Sequence, residues 1–317
     1  METCMEAIRG YKQELGIPFS PLDFLETGMI GDDYSDITTS LGLIEAKRTT
    51  ADPDMAALLV RMFHEAGLSA GDSVGAGFSG SFPSLNLAVI CACDAMGLNL
   101  TYISSVGAST HGANQPDLTF PDMAHRLYTD GLISTDSTMV SPGGDKDMGL
   151  GTWDQAAFFP ILDRLRDAGI PILMEEDFQK NLATRRAIYE KQNIRCFVAV
   201  GGNITTMGLG DSALYLGQGL LKHTLSPDRL NTKSGLVEWY LASGLPVINM
   251  LNIKKICAEY GIPYDPATHF AAGESPIYQT VTYPIWIPIA GLSASALALG
   301  LFAFLKKREE KMGVTTL

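Results

Sequence analysis

The sequence predicts an α/β fold, a doubly wound and mainly parallel sheet, joined to one C-terminal transmembrane helix. Three observations carry that expectation. From Gly71 onward, short runs rich in β-branched residues alternate with helical segments. Strand–helix alternation at this spacing implies parallel strands joined by right-handed crossovers, with helices on both faces of a Rossmann-like, three-layer sheet. Several helical segments end in glycine (Gly97, Gly131, Gly169, Gly244), which readily takes the left-handed C-terminal cap. Near the end of the chain, Ser275 to Leu305 contains no charged side chain, and Lys306, Lys307 and Arg308 follow at once.

Glu2–Leu15 is amphipathic and stops at Gly16 with Pro18 beyond, so the chain opens on a predicted helix. A loop with Gly28, Gly31 and Asp32-Asp33 follows, then Ile37-Thr-Thr-Ser-Leu-Gly42 and Glu45–Thr50. The next helix is expected over Pro53–Ala66, with Asp52 as N-cap, Pro53 at the first helical position and Gly67 after its end. Residues 1–70 thus read as a helical and irregular part packed on the main domain. That domain, 71–270, takes strands at Val74–Phe78, Leu100–Ser104, Ser137–Val140, Ile170–Met174, Phe197–Val200 and Pro246–Met250. Helices are expected between them at Pro83–Met96, Pro121–Asp130, Trp153–Ala168, Phe178–Lys191 and Leu236–Ala242. A connector spans 271–282, the transmembrane helix 283–305, and a basic then polar tail 306–317.

The last helix offers roughly 20 mostly apolar residues, enough to cross a hydrocarbon core about 30 Å thick. It lacks the polar face that a surface helix of a globular protein keeps in water. Tyr283 and Trp286 suit one headgroup zone and the basic cluster suits the other. Basic residues after the span favour a cytosolic C-terminus and an external domain, yet Met1-Glu-Thr-Cys-Met-Glu6 carries no signal segment. Two topologies stay open: a cytosolic tail-anchored domain, or an extracytoplasmic one whose N-terminal span precedes this start.

The net charge of -12 and pI near 4.8 exclude nonspecific nucleic-acid binding, because no cationic surface is available to release counterions. Five cysteines at irregular spacing make no disulfide framework, and no CxxC pair exists for zinc. Buried thiols are the expectation, and no metal site is.

Ligands of open α/β sheets lie at the C-terminal ends of the strands. The foremost loop there is Gly77-Phe-Ser-Gly-Ser-Phe-Pro-Ser-Leu-Asn86, where a strand passes through Ser79, Gly80, Ser81 and Phe82 into a helix started by Pro83. Free amides, the positive helix end and the two serine hydroxyls would make an anion site, with Asn86 one turn on. The next strand opens onto Ser104, Ser105, Ser109, His111 and Asn114, small polar residues suited to the same cleft. His111 is the natural proton-transfer candidate, and with Ser79 or Ser81 would form a Ser/His hydrolase pair. Asp145 and Asp147 could hold a cation or an amine, but two carboxylates do not specify a metal site. Gly202, Asn203 and Asn249 would close the floor, and Glu45, Lys47 and Arg48 form a compact charged cluster of open role.

Cofactor motifs fail on detail. Gly75-Ala-Gly-Phe-Ser-Gly80 fits GxGxxG by letters, but its glycines fall inside the strand and the ribose-binding acid is missing. Gly77-Phe-Ser-Gly-Ser81 lacks the final glycine of a nucleophile elbow, and no P-loop lysine occurs. No cofactor is expected.

Several blocks together resemble the bacterial poly-gamma-glutamate system protein family. They are Tyr34-Ser-Asp-Ile-Thr-Thr-Ser-Leu-Gly42, Ala46-Lys-Arg-Thr49, Ala56-Ala-Leu-Leu-Val-Arg61, Ser79-Gly-Ser-Phe-Pro-Ser-Leu-Asn86, Ile103-Ser-Ser-Val-Gly-Ala-Ser109 and Gly112-Ala-Asn114. Asp122-Met123, Val200-Gly-Gly202, Leu251-Asn-Ile253 and the terminal span continue the resemblance over nearly the whole chain. The chain departs from the family pattern at His111, where tryptophan is usual. The resemblance implies partnership with a separate poly-γ-glutamate ligase and its membrane partners, and carries over no catalytic residue. The expectation is a membrane-anchored accessory component of polymer synthesis, export or attachment that binds a carboxylate or phosphate. Three rivals are a sugar-isomerase-type (SIS-like) phosphosugar domain, a serine-dependent γ-glutamyl amide hydrolase or transferase, and a scaffold.

Overall fold

The computed structural model describes residues 1–152, 154–270, 273–278 and 284–311. Helix α1 (Glu2–Glu14) buries Cys4, Ile8 and Tyr11 on one stripe, the spacing of an amphipathic helix. Its Lys12 is buried too and donates to Ile30 O at 3.2 Å. Strand β1 (Thr38–Ser40) and helix α2 (Ile44–Thr50) follow. Helix α3 (Met55–Glu65) starts two residues later than Pro53. Asp52 accepts the Asp54 N–H at 2.9 Å, and this side-chain turn occupies the stretch where the first helical turn was expected.

The main sheet contains β2 (Ser73–Phe78), β3 (Asn99–Ser105), β5 (Met139–Ser141), β6 (Cys196–Val200), β7 (Gly219–Leu221) and β8 (Val247–Met250). Its order is β5-β3-β2-β6-β8-β7, with every pair parallel except the edge pair β7–β8. The chain therefore steps outward from β2 to β3 and β5, returns to place β6 beside β2, crosses to the edge strand β7, and comes back to set β8 between β6 and β7. A separate two-stranded parallel sheet joins β1 to β4 (Ala108–Ser109).

Alternate residues of the central strands enter different apolar clusters. Val74, Ala76, Phe78, Cys196, Val198 and Val200 pack with Leu58, Leu59, Leu85 and Val89. Phe197 and Ala199 pack with Tyr189, Leu236 and Tyr240. Burial on both faces explains why these strands read as continuous apolar runs. It also explains Gly75 and Gly77. A Cβ on Gly75 would stand 2.8 Å from Ile194 Cδ1, and one on Gly77 would stand 2.5 Å from Thr206 Cγ2. Those glycines admit neighbouring side chains to the sheet, which is why the GxGxxG letters carry no dinucleotide meaning here.

The remaining helices of this unit are α4 (Pro83–Met96), α5 (Phe120–Thr129), α6 (Phe158–Asp167), α7 (Phe178–Lys191), α8 (Ile204–Met207), α9 (Leu236–Ala242) and α10 (Ile253–Tyr260). Pro83 and Gly97 bound α4 as the sequence predicts, with Gly97 in the left-handed region. Thr119 and Asp122 close a capping box on α5. Helix α6 follows a short 3-10 turn at Gln155–Ala157, and Trp153 lies outside the described residues. Ile170–Met174 does not form the expected strand. Pro171 has no N–H, so the segment reaches β5 through Pro171 O and Leu173 N alone, at 2.9 and 2.8 Å, as a single bridge.

The first compact unit ends at Tyr278. Within the stretch assigned to the connector, Ile277 is buried in the first cluster and Tyr278 donates to Asp54 Oδ1 at 3.0 Å. The second unit contains α11 (Trp286–Lys311), a 26-residue helix long and apolar enough to cross a membrane. It runs through Lys306, Lys307 and Arg308, so the basic residues share the helix. Tyr283 and residues 312–317 lie outside the described residues.

Candidate functional site

A cleft of about 710 Å³ opens beyond the C-terminal ends of β2, β3 and β6. It lies where the strand order reverses, the usual crevice for ligands of open α/β sheets. Strand β2 ends at Phe78, and Ser79, Gly80 and Ser81 turn the chain into α4. The Ser79 N–H donates to Val200 O at 3.2 Å, and Asn86 Nδ2 donates to Ser79 O at 2.8 Å. A Cβ on Gly80 would lie 2.8 Å from Val106 O and 2.9 Å from Gly107 O. Glycine there lets the loop press against the chain that leaves β3.

Two of the loop's amides are spent inside it. Ser81 N–H donates to Ser79 Oγ at 3.2 Å and Phe82 N–H to Ser79 O at 3.4 Å. No side chain caps the N-terminus of α4, and cleft side chains stand beside that helix end. Ser79 and Ser81 line the cleft, as do Phe82, Ser105 and Ser109. The Ser109 N–H donates to Ser81 Oγ at 3.0 Å, tying β4 to the loop.

Lys47 completes the group. It projects from α2 with only 2% of its surface exposed, and its Nζ donates to Ser109 Oγ at 2.8 Å and to Ser81 O. The Phe82 ring lies 3.8 Å from the ammonium, a cation–π contact. Burial pulls its pKa down to about 7. Among the described residues it has no carboxylate partner, whereas Arg48 makes a bidentate pair with Asp265 at 2.7 and 2.6 Å. A buried cation that has no counter-charge among the described residues carries charge that an anion would neutralise.

The other predicted site residues divide. Asp145, Gly202 and Asn203 line the cleft, with Asn203 Oδ1 accepting the Thr205 N–H at 2.9 Å to start α8. Gly80, Asn86, Ser104, Asn114 and His111 do not line it. Ser104 Oγ lies 2.8 Å from Ser137 Oγ. Asn114 clamps Asp32, accepting its N–H and donating to its carbonyl, both at 2.9 Å. His111 takes a left-handed φ of 61° and directs Nδ1 to Asp33 Oδ1 at 3.3 Å, while burial lowers its pKa. The Ser/His pair therefore does not assemble: the imidazole faces the acidic loop. Asp147 is no cation ligand either. It is buried against Arg185 at 2.6 Å and accepts from Ser141 and Asn181. Among the described residues no cluster suits a metal ion.

Sequence reasoning left Lys47 undecided, and it missed Thr39, Gln218 and Lys254, which also line the cleft. Lys47 had a signal: α2 buries Ala46, Lys47 and Thr50 on one face, and a lysine on a buried stripe requires a reason. Gln218 had none. Its Oε1 accepts the Leu251 and Asn252 N–H groups at 3.1 and 2.7 Å, a contact between edge strand and sheet end. Comparison with family models, curated proteins and solved structures finds no match for this chain.

Proposed function

We infer that this chain is a membrane-anchored accessory component of a poly-γ-glutamate synthesis and export system, whose cleft binds a small carboxylate or phosphate. The anchor is α11, and the soluble unit is a doubly wound, three-layer fold of Rossmann-like type. The observation that carries the reading is Lys47, a buried ammonium with no carboxylate partner among the described residues, held against Ser81 and Ser109 in the cleft. The blocks behind the family resemblance add support. Thr39 to Gly42, Lys47, Ser79, Ser81, Ser109 and Leu251 to Ile253, all from those blocks, line it.

Calorimetry on the full chain tests it, with sulfate, glutamate oligomers and a phosphosugar as probes. Saturable binding lost in Lys47→Met is expected, and preference for the phosphosugar would move the reading to a SIS-like domain. In cells that make the polymer, Lys47→Met should fail to restore output to a deletion strain. Normal output would reject the role.

One distance favours a second reading. Lys47 Nζ lies 2.8 Å from Ser109 Oγ, so a neutral amine there could take the serine proton as Oγ attacks an amide carbonyl. The same amine would return that proton to the leaving nitrogen, and water would then hydrolyse the ester. Labelling by a fluorophosphonate that is lost in Ser109→Ala and kept in His111→Asn would support this. An unlabelled parent protein would dismiss it.

A further inference from the structure

The cleft has two chemical zones. Its inner part carries Lys47 and the hydroxyls of Ser79, Ser81 and Ser109, whereas its rim carries leucines left in water. Leu41 is 87% exposed, Leu43 69% and Leu214 49%. Single exposed leucines are ordinary, but these three all line one cleft.

The two zones are adjacent by construction. Gly42, between Leu41 and Leu43, donates its N–H to Thr110 Oγ1 at 2.8 Å and accepts from the same hydroxyl at 3.2 Å. The segment holding both leucines is thus pinned at its centre. A Cβ on Gly42 would meet Ser109 Oγ at 2.7 Å and Lys47 Cε at 3.0 Å, so this backbone passes directly beside the cation. Leu214 comes from a 3-10 turn, Ser212–Tyr215, in a different part of the chain.

We propose that the cleft binds a single-chain amphiphile, its carboxylate or phosphate head on Lys47 and the serines and its alkyl chain along Leu41, Leu43 and Leu214. The inference rests on the anion-binding reading above and adds the ligand's second half. A cleft of about 710 Å³ lies in the range used for drug-sized molecules, far beyond the needs of a bare ion. Charge complementarity selects the head, and the leucines gain by burial only if the rest of the ligand is apolar.

The test is a chain-length series on the full protein in a nonionic detergent: inorganic phosphate, then ethyl, butyl, hexyl and octyl phosphate. Affinity should rise roughly threefold to fourfold per methylene over the first carbons. Leu41→Ser with Leu43→Ser and Leu214→Ser should flatten the series to within about twofold while inorganic phosphate binds as before, which also reports an intact fold. Lys47→Met should weaken every member. Octyl phosphate binding no tighter than inorganic phosphate would overturn the proposal and leave the anion reading standing. A steep series that survives the triple substitution would overturn it as well, because the chain would then sit in detergent. If inorganic phosphate and the whole series fail to bind, both readings fall together.

Discussion

Lys47→Met should make the protein more stable at neutral pH while abolishing anion binding. Lys47 is almost wholly buried and its pKa is drawn down to about 7 by burial alone. Holding that group in the folded chain costs about 4 kcal/mol at neutral pH relative to a lysine in water. Methionine has similar length and no charge, but it removes the donor to Ser81 O and Ser109 Oγ, a loss of about 1–3 kcal/mol. The balance is a gain of about 1–3 kcal/mol, or a melting temperature higher by about 5 °C in a protein of this size. The sign depends on pH. The folded pKa lies below the unfolded value of 10.5, so the unfolded chain binds more protons between about pH 7 and 10.5. The penalty is complete below about pH 7 and fades as pH climbs toward 10.5. Urea or thermal melts of the full chain in nonionic detergent should therefore favour the methionine variant at pH 6, and the parent near pH 10.5, where only the lost hydrogen bonds count. A variant less stable than the parent at pH 6 would refute the reasoning, since Lys47 would then be a structural group with a partner.

Other consequences are equally open to measurement. Sulfate keeps its charge across the range, so its affinity should hold steady below about pH 6 and fall by up to tenfold per pH unit above about 7, as Lys47 loses its proton; a flat calorimetric profile to pH 9 would exclude the ammonium as the receptor. Asp147→Asn should lower stability by about 3–5 kcal/mol in denaturant titrations, because it strands Arg185, which like its partner is 1% exposed. Ser79→Ala with Ser81→Ala should weaken sulfate binding by roughly tenfold or more, the value of charge-assisted hydroxyl contacts. His111→Asn, which tolerates the left-handed backbone at that position, should leave sulfate affinity within about twofold of the parent.

The readable parts of the fold were those whose cause is local. Helices α4 and α9 announced themselves through Pro83 and Gly97 and through Gly244 after Ala242. The runs at β2, β6 and β8 were legible because both faces of those strands are buried, which leaves no polar alternation to dilute the signal. Strands β1, β4 and β7 were not: they are two or three residues long, and each exists only because a distant segment supplies hydrogen bonds. Ile170–Met174 failed in the opposite sense, with strand-like composition but a proline where a ladder needs a donor.

The site divides in the same way. Residue types and turn chemistry alone determined that a serine-rich strand-to-helix loop would stand at the end of β2, since Gly80 and Pro83 act on their immediate neighbours. Tertiary structure decided what that loop faces. It put Lys47, 32 residues before Ser79 in the chain, against Ser81 and Ser109, left it without a counter-charge among the described residues, and turned His111 toward Asp33. Hydrophobic period and backbone sterics act over a few residues, whereas the energy of a charge depends on everything that displaces water around it. That environment is assembled only when distant segments close over one another.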